Sequence, residues 1–105
     1  MGLLDVILPR VEIDFARALA EKISIQFPPA SENKLAKRGG QRRLEAILQT
    51  VMDDISVFQQ QRDLGWFRKA RLGNAFRWRL TELGYSETFV KALTDGLIHH
   101  IAIKR

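Results

Sequence analysis

The chain has 105 residues, with 46% hydrophobic and 28% charged side chains and a net charge of +5 at pH 7. This size and composition predict one soluble globular domain spanning residues 1–105. The absence of cysteine excludes disulfide frameworks, thiolate metal sites and cysteine nucleophiles. No apolar run approaches the ~20 residues that span a bilayer, and the N-terminus lacks the basic start of a signal peptide. We therefore expect a cytoplasmic protein without a membrane span.

Apolar residues recur at helical spacing in four segments, which predicts an all-α, bundle-like domain of four main helices. The first helix ends before Pro28, the second spans about residues 41–62, the third about residues 66–83, and the fourth begins after Ser86. The predicted core stripes are Val11, Phe15, Leu19 and Ile23; Leu44, Leu48, Val51, Ile55 and Phe58; Leu72, Phe76, Leu80 and Leu83; and Phe89, Val90, Leu93, Leu97 and Ile101.

Residues 28–40 form the only candidate linker. Paired prolines open this segment and the Gly39-Gly40 doublet closes it, and both disfavour regular structure. Ser31 is a suitable N-cap for at most one helical turn inside it. We expect an internal linker within a single domain, with the glycine doublet as its flexible end.

The connection between the third and fourth helices is a tight turn. Gly84 is suited to the left-handed conformation that ends a helix, and Ser86 to the N-cap of the next one. So short a connection predicts that the two helices are antiparallel neighbours.

Residues 76–95 resemble a helix-turn-helix DNA-binding motif. Gly84 stands at the position of that motif's turn glycine, and Thr88, Val90 and Leu93 stand where the motif has a threonine and two apolar residues. The chain departs from the motif at Leu80, where alanine is usual. The resemblance implies that the fourth helix would enter the major groove of DNA. The implied base-reading residues are Ser86, Glu87, Thr88 and Lys91.

Positive charge is concentrated in the middle of the chain. Residues 34–79 carry eleven basic and four acidic side chains, whereas residues 1–33 have a net charge of −2. Basic side chains beside exposed aromatic rings are typical of surfaces that bind single-stranded nucleic acid. The candidate contact residues are Lys34, Lys37, Arg38, Arg42, Arg43, Arg68, Arg71, Arg77 and Trp78, with Lys69 and Arg79 beside them.

The same helix also supports a different prediction. Phe67, Arg71, Asn74 and Trp78 recur at intervals of four, three and four residues, on the side opposite the core stripe. Aromatic and arginine side chains are enriched at protein-interface hot spots. We take nucleic-acid binding as the first prediction, and a protein-interaction or adaptor domain, homodimeric or with another partner, as the alternative.

No residue pattern indicates catalysis. The adjacent His99 and His100 diverge by about 100° on a helix, so they are poorly placed to chelate one metal ion. Asp53 and Asp54 diverge in the same way. We expect a non-enzymatic protein with no metal, no cofactor and no small-molecule substrate.

Overall fold

The computed structural model describes residues 11–61 and 65–103. It contains four α-helices: α1 (Val11–Gln26), α2 (Arg38–Gln61), α3 (Trp66–Leu83) and α4 (Glu87–Ile103). A 3₁₀ helix spans Pro29–Ala36. The described ranges contain no strand, so the all-α prediction is confirmed, with five helices instead of four. None of the described helices has the length and apolar character needed to cross a membrane.

The additional helix lies in the segment that was expected to be a linker. Pro29 occupies the first turn of the 3₁₀ helix, where its missing N–H is not needed, and the Lys37 N–H closes the helix on the Lys34 carbonyl at 2.9 Å. The Gly39-Gly40 doublet then lies in the first turn of α2, not in a flexible end. A Cβ at Gly40 would collide with the backbone carbonyl of Lys34. The doublet therefore lets α2 approach the 3₁₀ helix.

Contacts between the helices define their directions. The ion pairs Glu12–Arg71 and Glu21–Arg79 occur in the same order along both helices, so α1 and α3 run parallel. Phe15 stacks on Phe58 with ring centroids 4.0 Å apart, and Lys22 lies 2.6 Å from Asp54. These pairs run in opposite orders, so α2 is antiparallel to α1.

The core follows the predicted stripes. The central residues of each stripe are buried, whereas Val11, Phe15, Leu44, Leu48 and Leu83 at the helix ends and edges are partly buried against them. The buried members of the predicted stripes are Leu19, Ile23, Val51, Ile55, Phe58, Leu72, Phe76, Leu80, Phe89, Val90, Leu93, Leu97 and Ile101.

The turn between α3 and α4 has the predicted geometry. Gly84 adopts φ 103° and ψ 12°, and its N–H donates to the Thr81 carbonyl at 3.1 Å. The Tyr85 N–H donates to the Leu80 carbonyl at 3.3 Å, which completes a Schellman motif. The Ser86 Oγ accepts from the Phe89 N–H at 3.2 Å and so caps α4.

This arrangement gives the bundle two ends. The Trp66 end contains the beginnings of α1 and α3 and the ends of α2 and α4. The Tyr85 end contains the 3₁₀ helix, the beginning of α2 and the turn between α3 and α4.

Candidate binding surface on helix α3

The predicted cationic residues lie in separate parts of the molecule. Lys34 belongs to the 3₁₀ helix, Lys37 follows its last residue, and Arg42 and Arg43 lie near the beginning of α2, which starts with Arg38. All of them lie at the Tyr85 end. Arg68 belongs to the first turn of α3, at the Trp66 end. Arg68 lies fifteen residues before Leu83, the last residue of α3, which corresponds to about 22 Å at 1.5 Å per residue. The structure therefore does not bring residues 34–79 together as one continuous basic track.

The cations also differ in how far they are neutralised. Lys34, Lys37 and Arg42 are exposed and form no ion pair with any described residue. By contrast, Arg43 donates through Nε to the Gln26 carbonyl at 3.0 Å. Arg79 lies within 3.7 Å of carboxylate oxygens on α1 and on α3 itself. Among the described side chains of the Tyr85 end, the cations without an ion pair are thus Lys34, Lys37, Arg42 and Arg43, of which Arg43 is held by a backbone carbonyl.

Arg71 was predicted as a phosphate contact and as an interface residue, but the structure places it inside the molecule's own ion-pair network. Its Nη1 lies 2.9 Å from Oε1 of Glu12, a carboxylate that is only 2% exposed. No described group makes a well-aligned hydrogen bond to that Oε1, so the positive charge of Arg71 is its main compensation. Arg71 therefore joins α3 to α1 and is not available as an independent binding group.

The first turn of α4 is occupied by another part of the chain. The Glu32 carboxylate accepts hydrogen bonds from the Ser86 N–H at 2.9 Å and from the Ser86 hydroxyl at 2.6 Å. Lys91 pairs with Asp95 at 2.7 Å, while Glu87 and Thr88 are exposed. An acidic side chain thus lies at the N-terminus of α4, where the predicted helix-turn-helix motif would place a DNA phosphate.

Tyr85 anchors this end of the bundle. Its ring stacks on Phe89 with centroids 4.7 Å apart, and its hydroxyl donates to the Phe27 carbonyl. Burial raises the pKa of the Tyr85 hydroxyl to about 12, and the nearby negative charge of Glu32 adds to this shift. Both effects favour the neutral, hydrogen-bonding form of Tyr85.

The outer side of α3 carries the three aromatic side chains of this helix that the core does not use. Trp66 is 82% exposed, Phe67 60% and Trp78 53%. At about 100° per residue, Phe67 and Trp78 point in directions only about 20° apart, with Trp66 about 100° from Phe67. We call these three residues the aromatic face. Each of the three large aromatic side chains is more than half exposed to water.

A groove between α3 and α4 adjoins the aromatic face. Its volume is about 410 Å³, and its walls include Trp66, Lys69, Gly73 and Arg77 from α3 and Ile98 and Ile101 from α4. The walls are mainly apolar, and they carry two cationic and no acidic side chains among the described residues. We call this feature the α3–α4 groove.

Two details shape the groove. A Cβ at Gly73 would lie 3.0 Å from Cγ1 of Ile98, so glycine allows α3 and α4 to approach closely at that point. Arg77 places its guanidinium 5.2 Å from the ring centroid of Trp78, a cation–π contact that covers part of one ring face. Arg77 therefore links the groove to the aromatic face.

Sequence reasoning identified part of this surface and missed the rest. Phe67, Asn74 and Trp78 are exposed, as a binding face requires. Trp66, Gly73 and Ile98 were not predicted. Glycine within a pattern of bulky helical residues was a usable sign of close helix approach. For Ile98, which directly follows a core residue, no local sign distinguished exposure from burial.

The histidines form no binding cluster. His100 Nε2 lies 3.3 Å from the Ser56 hydroxyl, between α4 and α2, and His99 is exposed. Within residues 11–61 and 65–103, no group of three histidine or acidic side chains is arranged to hold a metal ion.

Comparison of the chain with protein-family models, with curated proteins and with solved structures finds no match.

Proposed function

We propose that this chain is a non-enzymatic protein-interaction domain that binds a partner protein through the aromatic face and the α3–α4 groove. The observation that supports this proposal most directly is the exposure of Trp66, Phe67 and Trp78 on one helix. Tryptophan together with arginine is the residue combination most enriched at interface hot spots, and Arg77 contacts Trp78 directly.

The size of the expected effect follows from the exposed area. A large apolar side chain that leaves water on binding contributes about 1.5–3 kcal/mol. Since 1.4 kcal/mol corresponds to a tenfold change in affinity, removing Trp66 or Trp78 should weaken binding at least about tenfold. Because both side chains are more than half exposed, their removal should change the stability of the free domain much less.

Nucleic-acid binding is a second candidate, supported by a different part of the surface. Lys34, Lys37 and Arg42 are exposed and unpaired with respect to the described residues, and they lie together at the Tyr85 end. A phosphate contact there would show a steep salt dependence, because neutralised phosphates release counterions. Fluorescence anisotropy with labelled single-stranded RNA, single-stranded DNA and duplex DNA over a salt series tests this candidate. No binding at low salt would eliminate it.

The protein-interaction proposal is tested by selection from a displayed library of peptides about 15–20 residues long. We expect peptides that bind the full chain with micromolar affinity and lose at least tenfold in affinity on Trp66→Ala and on Trp78→Ala. Val57→Ala is the matched control, because Val57 is a half-exposed apolar residue on α2 and lies outside the aromatic face. Binding that is insensitive to both tryptophan substitutions, or no selected peptide, would refute the proposal.

A further inference from the structure

We propose that the α3–α4 groove binds an acidic amphipathic helix of about three turns, with one large apolar side chain in the groove and two carboxylates on Lys69 and Arg77. This inference rests on the proposed function and specifies the chemistry of the partner. It follows from the shape, the apolar walls and the charge of the groove.

The shape of the groove favours a helical ligand. Its α3 wall extends from Trp66 to Arg77, about 16 Å at 1.5 Å per residue, which equals about three turns of helix. Antiparallel helices form both walls, and a third helix laid between them would complete a helical layer. A peptide that binds by strand addition needs an exposed strand edge, and the described part of the chain has no strand.

The apolar walls of the groove favour a ligand helix that places apolar side chains on the side facing the groove. Ile98 is 46% exposed and packs directly against Gly73, so its exposed part forms an apolar section of the groove wall. Trp66 stands at the other end of the groove and is nearly fully in water. A leucine, isoleucine or aromatic side chain of the ligand would cover Ile98 and pack against the Trp66 ring, removing both from water.

The positive charge of the groove favours a ligand that carries carboxylates. Neither Lys69 nor Arg77 forms an ion pair with any described residue, and no acidic side chain is among the described walls. Eight residues separate these two cations, a distance of about 12 Å along α3. Carboxylates seven or eight residues apart on a ligand helix have nearly the same spacing, about 10–12 Å.

A second copy of the chain fits this groove poorly. A two-fold symmetric dimer places the same surface patch on both sides, so Lys69 and Arg77 would face each other's positive charges. Such like-charge contacts across an interface cost several kcal/mol. Stacking of unpaired bases would use the aromatic rings, but it would leave the aliphatic wall around Ile98 uncovered, and Arg77 already covers part of Trp78.

The experiment uses the peptide library in a helix-favouring form, with glutamate and lysine equally represented at the randomised surface positions. Selection is run against the full wild-type chain and against Lys69→Glu/Arg77→Glu. The matched control is Lys37→Glu/Arg42→Glu, which makes the same change of net charge at exposed, unpaired residues of the Tyr85 end. Circular dichroism confirms that each variant is folded.

We expect wild-type selection to enrich glutamate or aspartate pairs seven or eight residues apart, flanking a large apolar residue. The Lys69→Glu/Arg77→Glu variant should weaken these peptides at least about tenfold and enrich lysine instead. The control variant should change their affinity less than about threefold.

Any one of the following results would overturn the inference. Selected peptides that require Trp66 and Trp78 but show no acidic pair, or that respond equally to both charge reversals, would eliminate the acidic helix and leave the protein-interaction function intact. Binding of single-stranded RNA that depends on Lys69 and Arg77, with no selected peptide that depends on them, would also eliminate it. Failure of the tryptophan dependence would remove both the inference and the function on which it rests.

Discussion

The ion pair between Glu12 and Arg71 allows a test of whether Arg71 stabilises the fold. In Arg71→Ala the Glu12 carboxylate, which is 2% exposed in the wild type, loses its cation. Breaking a buried pair by removing one partner costs about 3–5 kcal/mol. Arg71 itself is 20% exposed, so water would enter the vacated space, and we expect a loss near the lower limit, about 3 kcal/mol.

This loss is large, because the free energy of unfolding of a typical domain is only about 5–15 kcal/mol. At about 4–8 °C per kcal/mol, the midpoint of thermal unfolding should fall by about 15 °C. Urea denaturation followed by circular dichroism measures the free energy of unfolding directly. Arg68→Ala is the control, since Arg68 lies one turn earlier on α3 and pairs with no described carboxylate, and its effect should stay within about 0.5 kcal/mol.

The double variant Glu12→Leu/Arg71→Met separates charge from packing. Replacing a whole buried pair by apolar residues of similar volume is often neutral, so this variant should recover to within about 1 kcal/mol of the wild type. A single Arg71→Ala variant that loses less than 1 kcal/mol, or a double variant no more stable than the single one, would refute the argument. Confirmation would also mean that Arg71 substitutions report on folding and are unsuitable for mapping a ligand.

Four further substitutions test other parts of the structure by urea denaturation. The pKa of tyrosine is near 10 in the unfolded chain and about 12 for Tyr85 in the folded one. The free energy of unfolding of the wild type should therefore fall, relative to that of Tyr85→Phe, by at most about 2–3 kcal/mol as the pH rises from 10 to 12. Parallel curves of stability against pH for the two proteins would contradict this. Gly84→Ala places a side chain at φ 103° and should cost about 1–2 kcal/mol. Ser86→Ala removes the N-cap of α4 and should cost about 1 kcal/mol, less when Glu32→Ala is already present, because the two residues share hydrogen bonds. Thr94→Val removes a buried hydroxyl that has no partner among the described residues and should stabilise by about 1 kcal/mol; a loss of stability would indicate an unrecognised partner.

Local sequence signals predicted the helices and their junction well. The α3–α4 turn needed only Gly84 and Ser86, whose roles depend on backbone groups within five residues. The same signals failed at Gly39-Gly40. Glycine is a poor helix former, but the close contact of Gly40 with Lys34 outweighs that preference.

The candidate site was predicted less completely, because charge and exposure depend on distant residues. Arg71 and Arg77 are the same type of residue on the same helix. The Glu12 carboxylate, 59 residues earlier in the chain, forms an ion pair with Arg71, whereas no described carboxylate forms one with Arg77. Ser86 likewise meets Glu32 across 54 residues. No periodicity within α3 or α4 carries that information.

The sequence by itself therefore determined the class of fold, the core stripes and the capped turn, since hydrophobic periodicity and capping act over one or two helical turns. Only the tertiary structure decided which cations remain unpaired, which aromatic rings stay in water and where two helices leave a groove between them. These properties depend on which residues, far apart in the chain, come into contact in the folded protein. The aromatic face and the α3–α4 groove are the parts of α3 that the rest of the described chain leaves uncovered.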